Sequence, residues 1–421
     1  MKYIILSAIL LAAPFTEADW TEFRGPKSDG TAHGILPTSW NEDKNVTWRK
    51  SIPGLGWSTP IIKDEKVWIT TAAENGTTMS LLCFNYVNGD VLLDRILITN
   101  DNPEPLSNKM NTYASCTPVL EDDKLYVHFG SYGTFCVDTN SYDILWQRRD
   151  ISCSHWRGPA SSPILWKDKL IMTFDGADQQ FLIALDKTSG KTVWRTDRST
   201  DYADERDGVP ANSGDMRKAY STPYIVTSGG KNIMVSNAAK ACWAYDPDTG
   251  EELWHIPYKT HSPSSRTIYS AEENLLFINT GLGKAEVWAI KVDPEARGDI
   301  SESHVAWKVL KRTPKRSSPV LANGYLFFAN DGLGSCVDPK TGEILWNERM
   351  GGDYSASLLA ANGKVYFFDE DGLGTVVNAS KTFEKIGENH LDSGFMASPA
   401  AYQNSLLLRT KTHLYRIDGE G

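Results

Sequence analysis

The sequence predicts an all-β protein, an eight-bladed β-propeller of four-stranded blades, and three observations carry this prediction. A short opening motif occurs eight times, a closing motif that ends on tryptophan recurs with it, and the last copy lacks its final strand. Repeats of about 40–50 residues with short strands are typical of propeller blades rather than of helical arrays.

The clearest copy of the repeat is residues 317–346, which contain four short apolar runs separated by turn signals. Asn323-Gly324 is a strong two-residue hairpin signal, because both turn positions require positive φ. Pro339 and Gly342 mark a later turn, and Trp346 ends the unit. Four antiparallel strands bury one face only, so the unit needs copies of itself beside it.

The opening motif is a small residue, then Ser or Thr, then proline. We place its eight anchors at positions 60, 118, 163, 223, 266, 319, 357 and 399. Six anchors are prolines, and the weaker copies are Ser264-Ser265-Arg266 and Ser355-Ala356-Ser357. Successive anchors are 38 residues (319 to 357) to 60 residues (163 to 223) apart, which predicts eight blades.

The closing motif is a small residue, any residue, Asp, three residues, Gly, three residues and Trp. Its tryptophans are Trp146, Trp194, Trp254, Trp307 and Trp346. Their fixed place at a strand end predicts packing between blades, because one indole buries a large area. The matching aspartates precede turns, and we expect them to bond the turn backbone rather than to catalyse: Asp138, Asp186, Asp246 and Asp338.

The eighth unit runs from Ser398 to Asp418, and its last strand is missing. A strand of the right type stands alone near the N-terminus, at about residues 45–48. We therefore expect this N-terminal strand to complete the last blade and close the ring, which removes exposed sheet edges.

The remaining N-terminal segments are a predicted signal peptide at residues 1–18 and an irregular arm at residues 19–44, before the propeller at residues 45–421. Lys2 is the charged start, residues 4–13 are apolar, and residues 16–18 suit cleavage. The apolar run is too short to span a bilayer, and no cysteine follows it for lipid attachment. We expect a periplasmic or secreted monomer with no membrane span.

The closing motif resembles the tryptophan-docking repeat of the pyrroloquinoline-quinone (PQQ) dehydrogenases. The whole mature chain resembles the wider PQQ-like repeat family, which includes the propeller of the outer-membrane barrel-assembly machinery. Residues 20–26 and 54–60 resemble a secreted bacterial subgroup of that family. The resemblance implies the propeller fold and two different activities, a protein scaffold or an oxidoreductase that uses PQQ and calcium.

No two of the six cysteines are adjacent in the sequence. Cys83, Cys136 and Cys336 occupy the slot that alanine fills in other blades, so we interpret them as small buried residues. Cys116 and Cys153 precede the first strands of adjacent blades, and the sequence leaves open whether they form a disulfide.

Recognisable catalytic motifs are missing from the sequence, which contains no GxSxG, HExxH, CxxC or P-loop pattern. Asp331, Asp369, Glu370 and Asp371 carry oxygen ligands of the kind that calcium prefers, but they do not match the twelve-residue calcium loop. We interpret them as solvated turns. The net charge of −10 argues against a general nucleic-acid binder.

The candidate site is one mouth of the central channel, where the loops between blades meet. The loops are residues 54–57, 109–113, 154–158, 215–220, 261–263, 313–316, 353–354 and 394–396. The candidate ligand or partner face consists of their basic and aromatic residues: Trp57, Tyr113, His155, Trp156, Arg157, Arg217, Lys218, Tyr220, His261, Lys315, Arg316 and Tyr354. Such residues suit an anionic or sugar-like ligand, although solvated loop residues are the simpler interpretation.

Our leading hypothesis is an exported, non-catalytic binding or scaffold propeller, without a cofactor, that holds a protein or carbohydrate at this mouth. One alternative is a PQQ-dependent oxidoreductase of an alcohol or sugar, which the resemblance implies. The other is a polysaccharide hydrolase or lyase, which requires paired carboxylates in the channel.

Overall fold

The computed structural model describes residues 19–107, 110–206 and 208–419. Their strands form eight four-stranded blades, mainly antiparallel, which confirms the predicted fold. The predicted signal peptide at residues 1–18 and the loop residue Lys109 lie outside the described residues.

In chain order each blade runs from its inner to its outer strand. Blade 1 has strands Ile61–Lys63, Lys66–Ala72, Thr78–Asn85 and Val91–Thr99. Blade 2 has Val119–Glu121, Lys124–His128, Thr134–Asp138 and Ile144–Arg148, with a 3-10 turn at Gly130–Tyr132. Blade 3 has Ile164–Trp166, Lys169–Asp175, Gln180–Asp186 and Thr192–Asp197. Blade 4 has Tyr224–Ser228, Lys231–Asn237, Ala241–Tyr245 and Glu252–Pro257.

The other four blades repeat this order. Blade 5 has Ile268–Ser270, Leu275–Asn279, Val287–Lys291 and Val305–Val309. Blade 6 has Val320–Ala322, Tyr325–Asn330, Leu333–Val337 and Ile344–Arg349. Blade 7 has Leu359–Ala361, Lys364–Phe368, Leu373–Asn378 and Lys385–His390. Blade 8 has Ala400–Tyr402, Ser405–Arg409, His413–Asp418 and, from the N-terminus, Val46–Ser51.

Short extra elements decorate this ring. Gly298–Asp299 pairs in parallel with the outer strand of blade 4, and Thr31–Ala32 pairs in parallel with the inner strand of blade 7. The long insertion between blades 3 and 4 forms a small hairpin and a 3-10 segment: Glu205–Arg206, Val209–Pro210 and Ala211–Arg217. No helix among the described residues has the length and apolarity needed to cross a membrane.

The ring closes as the sequence predicts. Val46 pairs with Ile417 and Ser51 pairs with His413, so the N-terminal strand is the fourth strand of blade 8. On the blade 1 side, the Trp48 indole donates to the backbone oxygen of Tyr86 at 2.8 Å. The two ends of the chain are therefore tied together through one sheet.

The tryptophans join neighbouring blades, as predicted. A Cβ added to Gly250 would lie 2.6 Å from the Trp194 ring, and one added to Gly342 would lie 2.7 Å from the Trp307 ring. The Trp307 indole also donates to the Pro339 backbone oxygen at 3.0 Å. The indoles of Trp194 and Trp307 thus pack on the turn glycine of the next blade, where no larger residue fits.

Residues opposite and before these tryptophans have the predicted structural roles. Cys136 pairs across the sheet with Trp146, as Ala184 does with Trp194, so the slot needs a small side chain. Asp338 accepts hydrogen bonds from the backbone of Lys340 and Thr341, and so stabilises its turn. All six cysteines are buried free thiols, and the possible disulfide between Cys116 and Cys153 is not formed.

The register of the opening motif was wrong by one residue in blades 5 and 7. The Ser162 N–H donates to Thr222 Oγ1, and the Arg266 N–H donates in the same way to Ser318 Oγ. Arg266 therefore stands in the hydroxyl slot of its blade, and Ser357 stands in that of blade 7. The anchors at 266 and 357 were misplaced because no proline marks the register there.

The arm crosses one end of the central channel. Trp20 exchanges backbone hydrogen bonds with Ile62 of blade 1, and the Arg266 guanidinium donates to the Phe23 backbone oxygen at 2.6 Å. The buried Arg24 guanidinium donates to the Leu358 oxygen of blade 7 at 3.0 Å. These contacts tie inner segments on opposite sides of the ring, so the arm plugs this end.

Candidate functional site

A ring of hydroxyl groups surrounds the channel at the level of the opening motifs. In each of six blade pairs, a backbone N–H of one blade donates to the Ser or Thr oxygen of the next. The accepting residues are Thr117, Ser162, Thr222, Ser318, Ser357 and Ser398. The ring is interrupted at Arg266, which has no hydroxyl, and at Thr59, whose Oγ1 has no partner among the described residues.

A cavity of about 260 Å³ opens at the end of the channel that faces away from the arm. Loops of successive blades line it, and Phe23 of the arm reaches it through the channel. Five of its lining hydroxyls belong to the ring just described: Thr117, Ser162, Thr222, Ser357 and Ser398. Because the walls come from separate blades on a rigid ring, the cavity is pre-formed.

One wall of the cavity carries a cluster of three charged residues. Arg157 donates to both carboxylate oxygens of Asp215, with Nε–Oδ1 at 2.7 Å and Nη2–Oδ2 at 3.0 Å. Lys218 Nζ lies 2.8 Å from Asp215 Oδ1 and 2.9 Å from the centre of the Trp156 ring. Burial lowers the pKa of Lys218 to about 8. Burial raises the pKa of Asp215, but its bonds to Arg157 and Lys218 outweigh this effect and lower it.

The opposite wall carries Arg316. Its Nη2 atom lies 2.6 Å from Glu370 Oε1, which also accepts a hydrogen bond from Ser355 at 2.6 Å. Its Nη1 atom lies 3.4 Å from the sulfur of Met110. The guanidinium is thus held in place at the cavity wall by a carboxylate that does not itself line the cavity.

Two further polar residues complete the wall. Burial lowers the pKa of His261, whose Nδ1 atom lies 3.0 Å from Ser262 Oγ. Burial raises the pKa of Tyr220, and its hydroxyl has no hydrogen-bond partner among the described residues. Both side chains are therefore neutral near pH 7 and leave the two arginines and Asp215 as the charges of the wall.

Of the twelve predicted site residues, seven lie at the cavity and five lie elsewhere. Five line the cavity: Trp57, Arg157, Tyr220, His261 and Arg316. Trp156 and Lys218 lie directly behind them, in contact with Arg157 and Asp215 respectively.

The other five candidates do not reach the cavity, for identifiable physical reasons. Tyr113, His155 and Tyr354 are buried against aromatic rings of their own blades, namely Tyr132, Phe174 and Phe367. Arg217 pairs with Asp204 and Glu205 of the insertion, and Lys315 pairs with Asp331 at the surface. A sequence can predict that a loop lies near the mouth of the channel, but it does not predict the direction in which each side chain of that loop points.

Sequence reasoning missed the hydroxyl ring, Phe23 and the paired Asp215. We interpret the Ser and Thr of the opening motif as markers of the repeat only, although their recurrence at one level of seven of the eight blades is a signal for a ring. Phe23 is distant in sequence from every blade loop, so no local pattern could have placed it in the cavity.

The carboxylates at the cavity do not form the ligand set of the calcium ion that the PQQ resemblance implies. Among the described residues, no three His, Cys, Asp or Glu side chains come together as metal ligands. Asp215 is the one carboxylate among the described residues lining the cavity, and it is already paired with the side chains of Arg157 and Lys218. Calcium takes six to eight oxygen ligands, of which charged carboxylates are the strongest.

The comparisons with known proteins agree with this fold. A family model described as outer membrane protein assembly factor BamB matches residues 165–291 and 244–384, which together cover more than half of the chain. The chain therefore belongs to this family of PQQ-like propellers. No curated protein matches the sequence.

Solved structures show both kinds of relative. The chain is 13% identical to the quinohemoprotein alcohol dehydrogenase of Comamonas testosteroni, with a TM-score of 0.67, covering 96% of this chain and 81% of that one. It is 11% identical to BamB of Moraxella catarrhalis, with a TM-score of 0.58, covering 88% of this chain and 99% of that one. At such identities the likeness establishes the fold alone.

Proposed function

We propose that this protein is an exported, non-catalytic binding propeller that holds a small carbohydrate, or the end of a longer one, in its central cavity. The observation that carries the proposal is the lining of that cavity, which combines aromatic rings, hydroxyl groups and two guanidinium groups. Its volume of about 260 Å³ lies just below the range of ordinary ligand pockets, about 300–1,000 Å³.

The lining suits a sugar on two counts. Trp57, Tyr220 and Phe23 supply aromatic surface for the apolar C–H face of a sugar ring. Serine and threonine hydroxyls both donate and accept hydrogen bonds, as the hydroxyls of a sugar do. A rigid lining from several blades also lowers the conformational cost of binding.

Binding is favoured over catalysis by the shortage of carboxylates. Glycoside hydrolysis uses two carboxyl groups that flank the scissile bond. Asp215 is the one carboxylate among the described residues that line the cavity. Both of its oxygens accept hydrogen bonds from Arg157, so neither is available for proton transfer. The same shortage supports binding over a calcium-dependent oxidoreductase.

A protein scaffold is the second candidate. The family model carries the name of an assembly factor, and the outer strand of blade 1 exposes Val91 and Ile96, with 58% and 56% of their surface accessible. A protein partner on this outer edge would leave the cavity unused. The two candidates therefore predict different responses to blocking the cavity.

The test is a pair of phenylalanine substitutions. Ala160 lines the cavity, so Ala160→Phe should fill it and abolish binding of mono- and disaccharides measured by titration calorimetry. Ala271 is exposed in a turn of blade 5, so Ala271→Phe is the matched control and should bind as the wild type does. Equal binding by both variants would contradict the proposal, and unchanged capture of a protein partner by Ala160→Phe would favour the scaffold.

Export is tested separately by cell fractionation. Residues 1–18 are the predicted signal, and we expect the mature chain to begin near Asp19 in the exported fraction. Recovery of the full-length chain with the cytoplasmic proteins would contradict export without affecting the binding proposal.

A further inference from the structure

The hydroxyl ring at the cavity has unused hydrogen-bond donors. Five of its members line the cavity and are at least nine-tenths buried: Thr117, Ser162, Thr222, Ser357 and Ser398. The oxygen of each one accepts a backbone N–H at 2.9–3.2 Å. None of the described residues accepts the proton of any of these five hydroxyls.

Other hydroxyls of the same lining use their protons within the protein. Ser355 donates to Glu370 at 2.6 Å, and Ser115 donates to Asn111. The five ring members are therefore distinct, because each offers one O–H donor while its oxygen is already engaged. A buried hydroxyl proton without an acceptor is costly, so a ligand or water in the cavity must accept it.

The charged groups of the wall favour the same kind of ligand atom. Arg157 uses Nε and Nη2 on Asp215, and its Nη1 has no acceptor among the described residues. Arg316 adds a second guanidinium, whose Nη2 is paired with Glu370 at 2.6 Å, and the carboxylate of Asp215 is offset by Arg157 and Lys218. Guanidinium groups match carboxylate and phosphate oxygens in geometry and charge.

We propose that the five cavity-lining hydroxyls of this ring bind an oxyanion, the carboxylate or phosphate group of a small polar ligand, with Arg157 as the charged partner. The inference rests on the proposed function and names its ligand class as an acidic rather than a neutral sugar. An oxyanion accepts several hydrogen bonds and donates none, which complements five O–H donors that have no acceptors.

The experiment compares D-glucose, D-glucuronate, D-glucose 6-phosphate and inorganic phosphate by titration calorimetry against the wild-type protein. We expect at least one of the acidic sugars to bind at least tenfold more tightly than glucose, since a hydrogen bond to a charged group is about twice as strong as a neutral one. Equal or tighter binding of glucose would overturn this inference and leave the proposed function standing.

A matched pair of variants tests the ring itself. Ser162→Ala removes a ring hydroxyl that lines the cavity, and Ser318→Ala removes one that does not. Both lose the acceptor of one backbone N–H, so melting temperatures should fall alike. We expect Ser162→Ala alone to reduce the preference for the acidic ligand, by about tenfold. An equal effect of both variants, or of neither, would overturn the ring as the oxyanion site.

Failure of the two proposals is distinguishable. Binding of inorganic phosphate that is lost in Ala160→Phe and weakened in Ser162→Ala, without binding of any sugar, would support the oxyanion ring and contradict the carbohydrate. No binding of any of the four probes to the wild type would contradict both.

Discussion

At the scale of single residues, buried histidines couple the fold to pH. Burial lowers the pKa of His155 to about 4 and that of His128 to about 3. Both rings pack against Phe174, and His128 Nδ1 lies 2.9 Å from Thr134 Oγ1. The two side chains are neutral in the folded protein over the range in which they become charged in the unfolded chain.

The stability of the fold should therefore fall as the pH falls. Between about pH 6.5 and 4 the unfolded chain binds the proton of His155 and the folded chain does not, so the free energy of unfolding rises with pH in this window. We expect His155→Phe to reduce this slope by up to about 1.4 kcal/mol per pH unit. Urea denaturation at several pH values measures it.

The control for this prediction is His33→Phe, because His33 is exposed in the arm. The slope of this surface variant is the reference against which the slope of His155→Phe is compared. A slope for His155→Phe that matches the wild type would mean that the ring is not buried as a neutral group.

At the scale of elements, the contact between tryptophan and glycine joins one blade to the next. Gly342 has a φ of +77°, and the Trp307 ring would lie 2.7 Å from any Cβ at this position. Gly324 in the hairpin of the same blade has a φ of +78° and nothing within 4 Å of a Cβ. Both glycines have the positive φ that favours glycine, but only Gly342 has a side chain, the Trp307 indole, packed against it.

This pair separates the backbone cost from the packing cost. Gly324→Ala should destabilise the fold by about 1–2 kcal/mol, the cost of a left-handed conformation in an ordinary residue. Gly342→Ala should cost about 1–3 kcal/mol more, because the added methyl displaces the indole. Guanidinium denaturation measures both, and equal losses would show that the indole moves aside freely.

At the scale of the whole molecule, the N-terminal segment acts as part of the ring. Val46–Ser51 completes blade 8, and the arm before it crosses the channel end and brings Phe23 to the cavity. Trp40 is 2% exposed and stacks on Phe368 of blade 7 with ring centres 6.1 Å apart. The arm is thus part of the hydrophobic core and not a loose extension of the propeller.

Removing one anchor of the arm should weaken the entire fold. We expect Trp40→Ala to lower the free energy of unfolding by about 3–5 kcal/mol, as for other buried aromatic truncations. Ile35→Ala in the same arm, where 70% of the side chain is exposed, should change it by less than about 0.5 kcal/mol. Similar values for the two variants would show that the arm detaches without cost.

The sequence predicted the blades, their number and the closing strand, because hairpin signals and docking tryptophans are local patterns that each blade repeats. It misplaced the motif at Arg266, where a long cation replaces the hydroxyl and its guanidinium instead donates to Pro223 of blade 4. It predicted a site at one mouth of the channel, and five of its candidate residues line the cavity there. It did not reveal Phe23 or the hydroxyl ring in that cavity, because these meet only after eight distant segments have closed a circle.

The most direct measurement of the central claim follows the tryptophan indole signals by nitrogen-proton NMR while D-glucuronate is added. Trp57 lines the cavity, and the Trp57→Phe variant identifies its signal. We predict that the Trp57 signal shifts in a saturable way while the signals of the docking residues Trp194 and Trp254 stay in place. A saturable shift of the docking signals alone, or no shift at Trp57, would contradict a ligand in the central cavity.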